Sequence, residues 1–455
     1  MILIVLGLSI FAVMVAFGLS SLGEGQTRAA WVALGLGAVA PLPLLLAALL
    51  PAPIQRGVVA AIVAVVLALV VLFLLPIGRV ETGDDQPRGR YDERDIMFAR
   101  MRLVPGTPEF EAYYALRPEK RAGDDKTRAL PGLLSPEARE AHPPLFAATE
   151  GTFDLIEAVR DEVDGPVAPA QVEGEAGRLT AYVKGLARYW GARRVGVADL
   201  RDYHVYSYVG RGTGVYGAPI DLDHGYAVAF TVEMAWEMVA SAPAAPTLLE
   251  SARQYANGAK IAILLANTIR GMGYRARAHV DGNYRVIAPL VARDAGLGEF
   301  GRMGLLMTPG LGPRVRLGVV TTDLPLVVDG RRADPAVLDF CRICQKCAEN
   351  CPVRAIPTGD RQQVDDALRW RIDHEVCYRY WCVTGTDCAR CVAVCPYSYP
   401  DSVAHNLVRL GVAHSGFARR AVLWMDRLFY GARPQPRAAP GWVFEVDTMK
   451  DHDLG

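Results

Sequence analysis

All nine cysteines of this 455-residue chain lie between positions 341 and 395, and this confinement constrains the fold more than any other sequence feature. Disulfides that stabilise a chain of this length would be distributed along it, whereas cysteines at short spacings are typical of metal ligation in a reducing environment. An odd number of cysteines also cannot pair completely within one chain. The stretch therefore predicts a metal-binding domain.

The spacing of the cysteines indicates which metal centre they bind. The first run reads C-x2-C-x2-C-x3-C-P and consists of Cys341, Cys344, Cys347 and Cys351. The second run ends in the same way, C-x2-C-x3-C-P, and consists of Cys388, Cys391 and Cys395. Bacterial domains with two 4Fe–4S clusters use this spacing, and the fourth cysteine of a run binds the other cluster. Zinc sites show paired C-x2-C knuckles instead. Residues 331–400 are therefore predicted to form a bacterial-type two-cluster ferredoxin domain.

Exchange of the fourth cysteines between the runs gives the expected ligand sets. Cluster 1 is expected to bind Cys341, Cys344, Cys347 and Cys395. Cluster 2 is expected to bind Cys351, Cys388, Cys391 and one cysteine upstream of the second run. Both Cys377 and Cys382 are candidates for that ligand, and the other is spare. Such a pair of clusters relays single electrons and does not by itself identify a substrate.

The first eighty residues are dominated by three apolar runs, at about residues 1–20, 29–50 and 57–77. An α-helix rises about 1.5 Å per residue, so roughly 20 apolar residues cross the hydrocarbon core of a bilayer. The first run lacks the basic start and the small-residue cleavage site of a secretory signal. Residues 1–80 are therefore predicted to be a transmembrane anchor of three helices.

The basic residues around these runs predict an orientation. Arg28 lies in the first loop, and Arg79, Arg88 and Arg90 follow the third run. Loops rich in lysine and arginine tend to stay in the cytoplasm. No twin-arginine pair precedes the first run, so no export route for a folded cluster domain is evident. We therefore expect a multi-pass protein of the inner membrane whose catalytic domain faces the cytoplasm.

The remaining sequence divides into three parts. Residues 81–150 are polar and rich in proline and glycine, and are predicted to be an irregular linker with short helices. Residues 151–330 show the mixed periodicities of an α/β domain, and residues 401–455 are predicted to be a tail that packs on the core. The predicted helices are 174–192 and 248–272, and the predicted strands are 194–198, 226–232 and 315–321.

Beyond the cysteines, long stretches of the chain resemble the reductive dehalogenases, which are corrinoid and iron–sulfur enzymes that remove halogen from organic compounds. The resemblance begins at Tyr255 and includes ANTIRGMGYRARAHVDGN (266–283) and AGLGEFGRMGLLMTPGLGPRVRLGVVTTDLPL (295–326). It continues through FCRICQKCAENCPVRAIP (340–357) to CYRYWCVTGTDCARCVAVCP (377–396). Epoxyqueuosine reductase, a tRNA-modifying relative, shares the cobalamin and two-cluster plan.

The resemblance implies an α/β fold with a nitroreductase-like corrinoid-binding core at residues 151–330. The family's displaced cysteine motif resembles C-x10-C-x2-C-x3-C-P, which implies Cys377 and not Cys382 as the ligand of cluster 2. Because the D-x-H-x-x-G cobalt-ligand motif is missing, a base-off corrinoid (cobalamin) is implied, and His224 and His279 are expected to be hydrogen-bonded core or loop residues. The residues implied to cradle the corrinoid are Gly296, Gly298, Glu299, Gly301, Arg302, Gly304, Thr308 and Pro309.

The resemblance also implies catalytic residues. Tyr255, on the long predicted helix, resembles the family's proton donor, and Arg316 resembles the cation beside it. Asn283 resembles a neighbour of the substrate or halide. Tyrosine stays protonated at neutral pH, and a nearby cation favours the tyrosinate left after proton donation.

These features predict a corrinoid-dependent reductive dehalogenase that replaces carbon–halogen by carbon–hydrogen in a small organohalide. The expected partners are the lipid bilayer and an electron donor, either a soluble ferredoxin or flavodoxin or a quinol. The alternatives are an enzyme like epoxyqueuosine reductase and a membrane-anchored electron carrier of the ferredoxin type. Acidic and basic residues number 49 each, so no nucleic-acid partner is expected.

Overall fold

A computed structural model of the chain describes residues 1–23, 25–76, 82–401 and 403–443. The helices in these ranges are α1 (Ile2–Gly23), α2 (Thr27–Val39), α3 (Leu42–Ala47), α4 (Ala52–Leu74), α5 (Met97–Met101), α6 (Pro108–Leu116), α7 (Pro118–Arg128), α8 (Pro143–Val159), α9 (Ala176–Tyr189), α10 (Trp236–Val239), α11 (Ala245–Gly271), α12 (Ala288–Asp294), α13 (Pro335–Cys344), α14 (Lys346–Glu349), α15 (His374–Thr384), α16 (Arg390–Ala393), α17 (Val403–His414) and α18 (Gly416–Tyr430). The strands are β1 (Arg194–Asp199), β2 (Tyr226–Glu233), β3 (Ala276–His279), β4 (Glu299–Phe300), β5 (Leu306–Met307), β6 (Val315–Thr322), β7 (Gln362–Val364) and β8 (Ala367–Arg369).

The chain packs into two compact units, and each unit is built from three separate segments of the sequence. The anchor unit draws on residues within Met1–Glu81, Pro335–Glu349 and Asp401–Gln435. The core unit draws on residues within Thr82–Asp334, Asn350–Pro400 and Pro436–Gly455. The first three cysteines and the helices α17 and α18 thus belong to the same unit as the apolar N-terminal helices, whereas the sequence analysis drew boundaries at 80, 330 and 400.

The anchor unit contains three helices long and apolar enough to cross a membrane: Ile2–Gly23, Thr27–Ala47 and Ala52–Leu74. The middle one consists of α2 and α3, and it is interrupted at Pro41, since proline lacks the amide hydrogen that continues a helix. These helices confirm the three predicted apolar runs.

The core unit is built around a four-stranded antiparallel sheet with the strand order β1-β2-β6-β3. Alternate side chains of β2 face opposite sides of the sheet, as a strand's period of two requires. Val228 and Phe230 pack with residues of α9 and α11 on one face, whereas Ala227 and Ala229 pack with residues of α12 on the other. The ring of Phe230 lies over Gly318 of β6, where an added Cβ would come within 2.2 Å of the ring.

Most of the predicted elements of the core unit are confirmed. The helices 174–192 and 248–272 correspond to α9 and α11, and the three predicted strands correspond to β1, β2 and β6. The stretch 81–150 contains α5, α6, α7 and the start of α8, and α8 packs against α11. The α/β class is therefore confirmed, with α11 and β6 as the elements that carry the predicted catalytic residues.

Candidate active site and iron–sulfur domain

Tyr255 and Arg316, predicted from distant parts of the sequence, lie together in the core unit. Tyr255 is in the third turn of α11, and Arg316 is the second residue of β6, opposite Val232 of β2. The guanidinium carbon of Arg316 is 5.2 Å from the centroid of the Tyr255 ring, within the range of a cation–π interaction. Among the described residues, the Tyr255 hydroxyl has no hydrogen-bond partner, so it is available to a bound molecule.

Two residues that the sequence analysis missed hold Arg316 in place. Arg316 Nη2 donates to Ser251 Oγ at 2.6 Å and to Asp387 Oδ2 at 2.9 Å, and Ser251 Oγ donates to the same carboxylate oxygen at 2.5 Å. Ser251 precedes Tyr255 by one helical turn and so lies on the same face of α11. Within the described chain, Arg316 Nε and Asp387 Oδ1 are buried without a hydrogen-bond partner. Each partner of the ion pair therefore has one buried polar atom that makes no hydrogen bond within the described residues.

The electrostatics of this group follow from burial and opposite charge. Burial raises the pKa of Tyr255, and the neighbouring Arg316 cation partly opposes this rise. Burial lowers the pKa of Arg316, but the neighbouring Tyr255 and Asp387 side chains outweigh this effect, so the net pKa is raised and the cation persists. The arrangement suits a phenol that stays protonated until it donates, beside a cation that stabilises the resulting tyrosinate.

Further ionisable side chains interact with Tyr255 or with its neighbours. Tyr284 interacts electrostatically with Tyr255 and Arg211, and burial raises its pKa well above the ordinary value. Burial and the Glu93 carboxylate raise the pKa of Tyr206 to about 12. Arg211 pairs with Glu93 through contacts of 3.1 Å between Nε and Oε1. The only sequence signal for Tyr284 is its position directly after Asn283.

Asn283, the third predicted catalytic residue, is fully buried and engaged by other protein groups. Its Nδ2 donates to the Arg160 carbonyl at 2.9 Å and to Thr213 Oγ1 at 3.2 Å. Its Oδ1 accepts from Arg277 Nη2 at 2.8 Å. None of these partners is Tyr255 or Arg316, so the structure gives the Asn283 amide a role in fixing the surrounding loops.

The glycine-rich segment forms the β4–β5 hairpin and the turns around it. An added Cβ on Gly298 would lie 2.4 Å from the Met307 carbonyl oxygen, and Gly296 has a φ of +74°, so both positions require glycine. Gly301 and Gly304 close the hairpin through a backbone hydrogen bond of 3.0 Å, and Pro309 is exposed in the next turn.

The polar side chains of this segment bind other protein groups. Glu299 pairs with Arg331, with 3.0 Å between Oε2 and Nη2. Arg302 Nη1 donates to the carbonyls of Pro357 and Gly359 at 2.7 Å each, and Thr308 Oγ1 donates to the Gly312 carbonyl at 2.9 Å. Any contact that the segment makes with a corrinoid would therefore come largely from its backbone.

The two histidines of this region are hydrogen-bonded residues, as expected. His279 Nδ1 accepts from the Arg285 amide at 3.1 Å, so its Nε2 carries the proton and donates to Thr321 Oγ1 at 3.0 Å. Thr321 Oγ1 also lies 2.9 Å from His224 Nδ1. Burial lowers the pKa of both histidines. With both nitrogens of His279 engaged, it is not a cobalt ligand in this arrangement.

In the anchor unit, three predicted cluster ligands follow one another on α13 and α14. Cys341 and Cys344 occupy the last turn of α13, and Cys347 lies on α14, after a turn at Gln345 with a φ of +54°. All three are buried. Burial and the neighbouring Cys341 thiol raise the pKa of Cys344.

In the core unit, three more cysteines lie near one another. Burial is the main cause that raises the pKa of Cys377 to about 11 and that of Cys388 to about 12. Each of these thiols also interacts with Cys351. Cys382, on the same helix as Cys377, is buried and hydrogen-bonds to Tyr378.

A family comparison identifies the cysteine-rich stretch. Residues 340–399 match the model of the 4Fe-4S dicluster domain family. The chain therefore contains a two-cluster iron–sulfur domain, a kind of domain that relays single electrons.

Longer stretches of the chain are similar to known enzymes. A tetrachloroethene reductive dehalogenase of Sulfurospirillum multivorans is 34% identical over 290 residues, which are 56% of this chain and 57% of that protein. A solved catabolic reductive dehalogenase in complex with 3-bromo-4-hydroxybenzoic acid superimposes with a TM-score of 0.62 and 27% identity, covering 79% of this chain and 48% of that one. Over more than half of its length, the chain is therefore similar to reductive dehalogenases.

Two further proteins are similar to this chain. A second solved reductive dehalogenase, described as carrying out B12-dependent dehalogenation, matches with a TM-score of 0.62 and 27% identity, covering 78% of this chain and 49% of that one. An epoxyqueuosine reductase of Xanthomonas campestris is 29% identical over 225 residues, 43% of this chain and 61% of that protein. The chain spans about half the length of the reductive dehalogenases that it matches.

Proposed function

We propose that this protein is a membrane-anchored, corrinoid-dependent reductive dehalogenase, in which Tyr255 donates the proton and Arg316 supports it. The observation that carries the proposal is the Arg316 guanidinium, 5.2 Å from the Tyr255 ring centroid, beside a phenol hydroxyl without a hydrogen-bond partner among the described residues. The overall reaction consumes two electrons and one proton, breaks the carbon–halogen bond, forms a carbon–hydrogen bond and releases halide.

Two buried polar atoms beside Tyr255 are open to a bound group. Arg316 Nε and Asp387 Oδ1 are buried polar atoms without partners among the described residues, and such atoms are rare unless a ligand or water satisfies them. The engagement of His279 on both nitrogens supports a corrinoid whose cobalt takes no ligand from this histidine. When bound, the corrinoid supplies a low-valent cobalt centre that reduces the substrate.

The chain's own part in the reaction is to hold and deliver a proton. Burial keeps the Tyr255 phenol protonated, and Arg316 lowers the cost of its ionisation at the moment of donation. The ion pair with Asp387 and the bond to Ser251 keep the guanidinium over the ring. Asn283 contributes by ordering the loop that carries Tyr284, and a direct contact with substrate stays a prediction.

For electron supply we propose the ligand sets Cys341, Cys344, Cys347 and Cys395 for cluster 1, and Cys351, Cys377, Cys388 and Cys391 for cluster 2. The interactions among Cys351, Cys377 and Cys388 support Cys377 over Cys382. The contribution of residues 296–309 to the corrinoid site and the nitroreductase-like description of the core also stay predictions.

The substrate class is a small organohalide. The bromophenol-type ligand of the solved relative supports a halogenated aromatic compound as the first substrate to test. An epoxyqueuosine-reductase-like activity is disfavoured because a tRNA ligand calls for a basic surface, whereas acidic and basic residues are balanced here at 49 each.

We further propose that the core unit faces the cytoplasm and receives electrons from a soluble ferredoxin or flavodoxin. Arg28 in the first turn of α2 and Arg88 and Arg90 beyond the end of α4 support this orientation, and they outnumber Arg56 at the start of α4 on the opposite side. Helices α1 to α4 contain no histidine, aspartate or glutamate, the side chains that usually mark a proton or quinone site within a membrane. A quinol donor remains the alternative.

The decisive experiment is anaerobic purification of the full-length protein after expression with an ample corrinoid supply. We expect one cobalt per chain together with iron and sulfide, and halide release from a panel of bromo-, iodo- and chlorophenols. Iron without cobalt would reduce the protein to a tethered electron carrier. Cobalt without halide release from any organohalide would favour the epoxyqueuosine-reductase alternative.

A further inference from the structure

Helix α18 has an unusual distribution of polar and apolar side chains. Its inward face carries Arg419 and Asp426, whose side chains are 3% and 5% exposed. Its outward face carries Phe417, Trp424 and Met425, which are 38%, 66% and 37% exposed. These three residues fall at helical positions i, i+7 and i+8, so they form one stripe. A helix that faces water shows the opposite arrangement.

The helical hairpin α17–α18 touches the ends of all three apolar helices. The Phe429 ring contacts Phe17 near the end of α1, with 5.3 Å between the centroids. Arg28 Nε, in the first turn of α2, donates to the Leu428 carbonyl at 3.4 Å. Ser415, between α17 and α18, donates to the Leu72 carbonyl near the end of α4 at 2.6 Å. Because α1 and α4 end on the side where α2 begins, these contacts mark one face of the membrane.

We propose that the hairpin α17–α18 lies in the lipid headgroup region on this face, with its apolar stripe in contact with acyl chains. The stripe continues the surface of helices that themselves face lipid, and Leu407 and Leu410 of α17 extend it, at 61% and 47% exposed. Tryptophan is enriched at membrane interfaces. Arg420, exposed one turn before Trp424, donates from Nη1 to the Gly416 carbonyl at 3.0 Å and adds a cation to this face of the hairpin, and cations at such a face attract anionic lipid headgroups.

The inward face of α18 connects this interfacial hairpin to the first cysteine run. Lys346 Nζ lies 2.5 Å from Asp426 Oδ2, and Arg419 Nε lies 2.7 Å from Asp339 Oδ2. Arg427 Nη2 also donates to the Cys344 carbonyl at 3.1 Å. Burial makes these charge pairs costly to separate. The segment that carries Cys341, Cys344 and Cys347 is therefore held at the membrane face, and its electron donor would approach along that surface.

The test uses the full-length protein in lipid nanodiscs that contain phosphatidylcholine brominated near the carbonyl end of its acyl chains. The fluorescence of Trp424 is obtained as the difference between the wild-type protein and Trp424→Phe. We expect this difference signal to lose most of its intensity in brominated discs. Trp370→Phe provides the matched control, because Trp370 is 7% exposed within the core unit and stacks with Arg302, and its difference signal should be unchanged.

An unquenched Trp424 signal in discs that hold one chain would overturn the proposal. Quenching in discs with one chain that disappears in discs with two chains would show that a second copy covers the stripe when it is present, and would overturn its assignment to lipid. The result does not depend on dehalogenation, because it is read from protein whether or not a corrinoid is bound.

Discussion

Asp387 accepts a hydrogen bond at 2.9 Å from the guanidinium of Arg316 and is directly followed in the chain by Cys388. The residue that orients the cation of the candidate active site is therefore a neighbour of a proposed cluster ligand. Since Arg316 also lies over Tyr255, one continuous set of contacts connects the proton donor to the iron–sulfur domain. A shift of the loop that carries Asp387 and Cys388 would therefore move Arg316 relative to the Tyr255 phenol.

Replacement of Tyr255 by phenylalanine should abolish most turnover while leaving the fold intact. Loss of a positioned proton donor typically costs about 10²–10⁴-fold in rate. The hydroxyl has no hydrogen-bond partner among the described residues, so its removal leaves no protein group unsatisfied, and the melting temperature should stay near that of the wild type. Halide release and metal content are measured on the same preparation. A variant that keeps turnover within about tenfold would remove the proton-donor assignment.

Replacement of either Arg316 or Asp387 alone should destabilise the protein, and the two effects should not add when both residues are replaced. Their side chains are 18% and 8% exposed, and loss of one member of a buried pair typically costs about 3–5 kcal/mol because the other charge is left uncompensated. The single variants Arg316→Gln and Asp387→Asn and the double variant are compared by thermal unfolding. We expect the double variant to be more stable than the sum of the two single effects predicts. Strict additivity would show that the pair contributes no coupling.

The periodicity and spacing of residues were enough to predict the α/β class, the apolar helices, the iron–sulfur domain and, with the family resemblance, the neighbours Tyr255 and Arg316. Other members of the site depend on contacts between distant segments. Ser251 and Asp387 are 136 positions apart, and each alone has the sequence pattern of an ordinary helix or loop residue. Sequence periodicity also does not report which partner buries the charged face of α18.

The alkaline limb of the pH–activity profile should report Tyr255. The donor is competent only when protonated, and burial raises its pKa above the ordinary value of 10. Activity should therefore persist through pH 10 and fall only at higher pH, as the phenol ionises. Because the Arg316 cation acts to lower this pKa, Arg316→Gln should move the limb to still higher pH, although turnover itself falls. Initial rates of halide release across the alkaline range provide the measurement. A limb that begins well below pH 10 would assign the titration to another group.

Serine variants of Cys377 and Cys382 should separate the cluster ligand from the spare cysteine. The Cys377 thiol interacts with Cys351, and Cys388 interacts with both, whereas Cys382 is buried against Tyr378. Cys377→Ser should therefore lose about half of the bound iron and the signal of one of two cubane clusters. Cys382→Ser, on the same helix, is the matched control and should keep the iron content and both signals in electron paramagnetic resonance of the reduced protein. Reversal of this pattern would make Cys382 the ligand, and loss of both clusters in Cys377→Ser would point to a collapse of the whole domain.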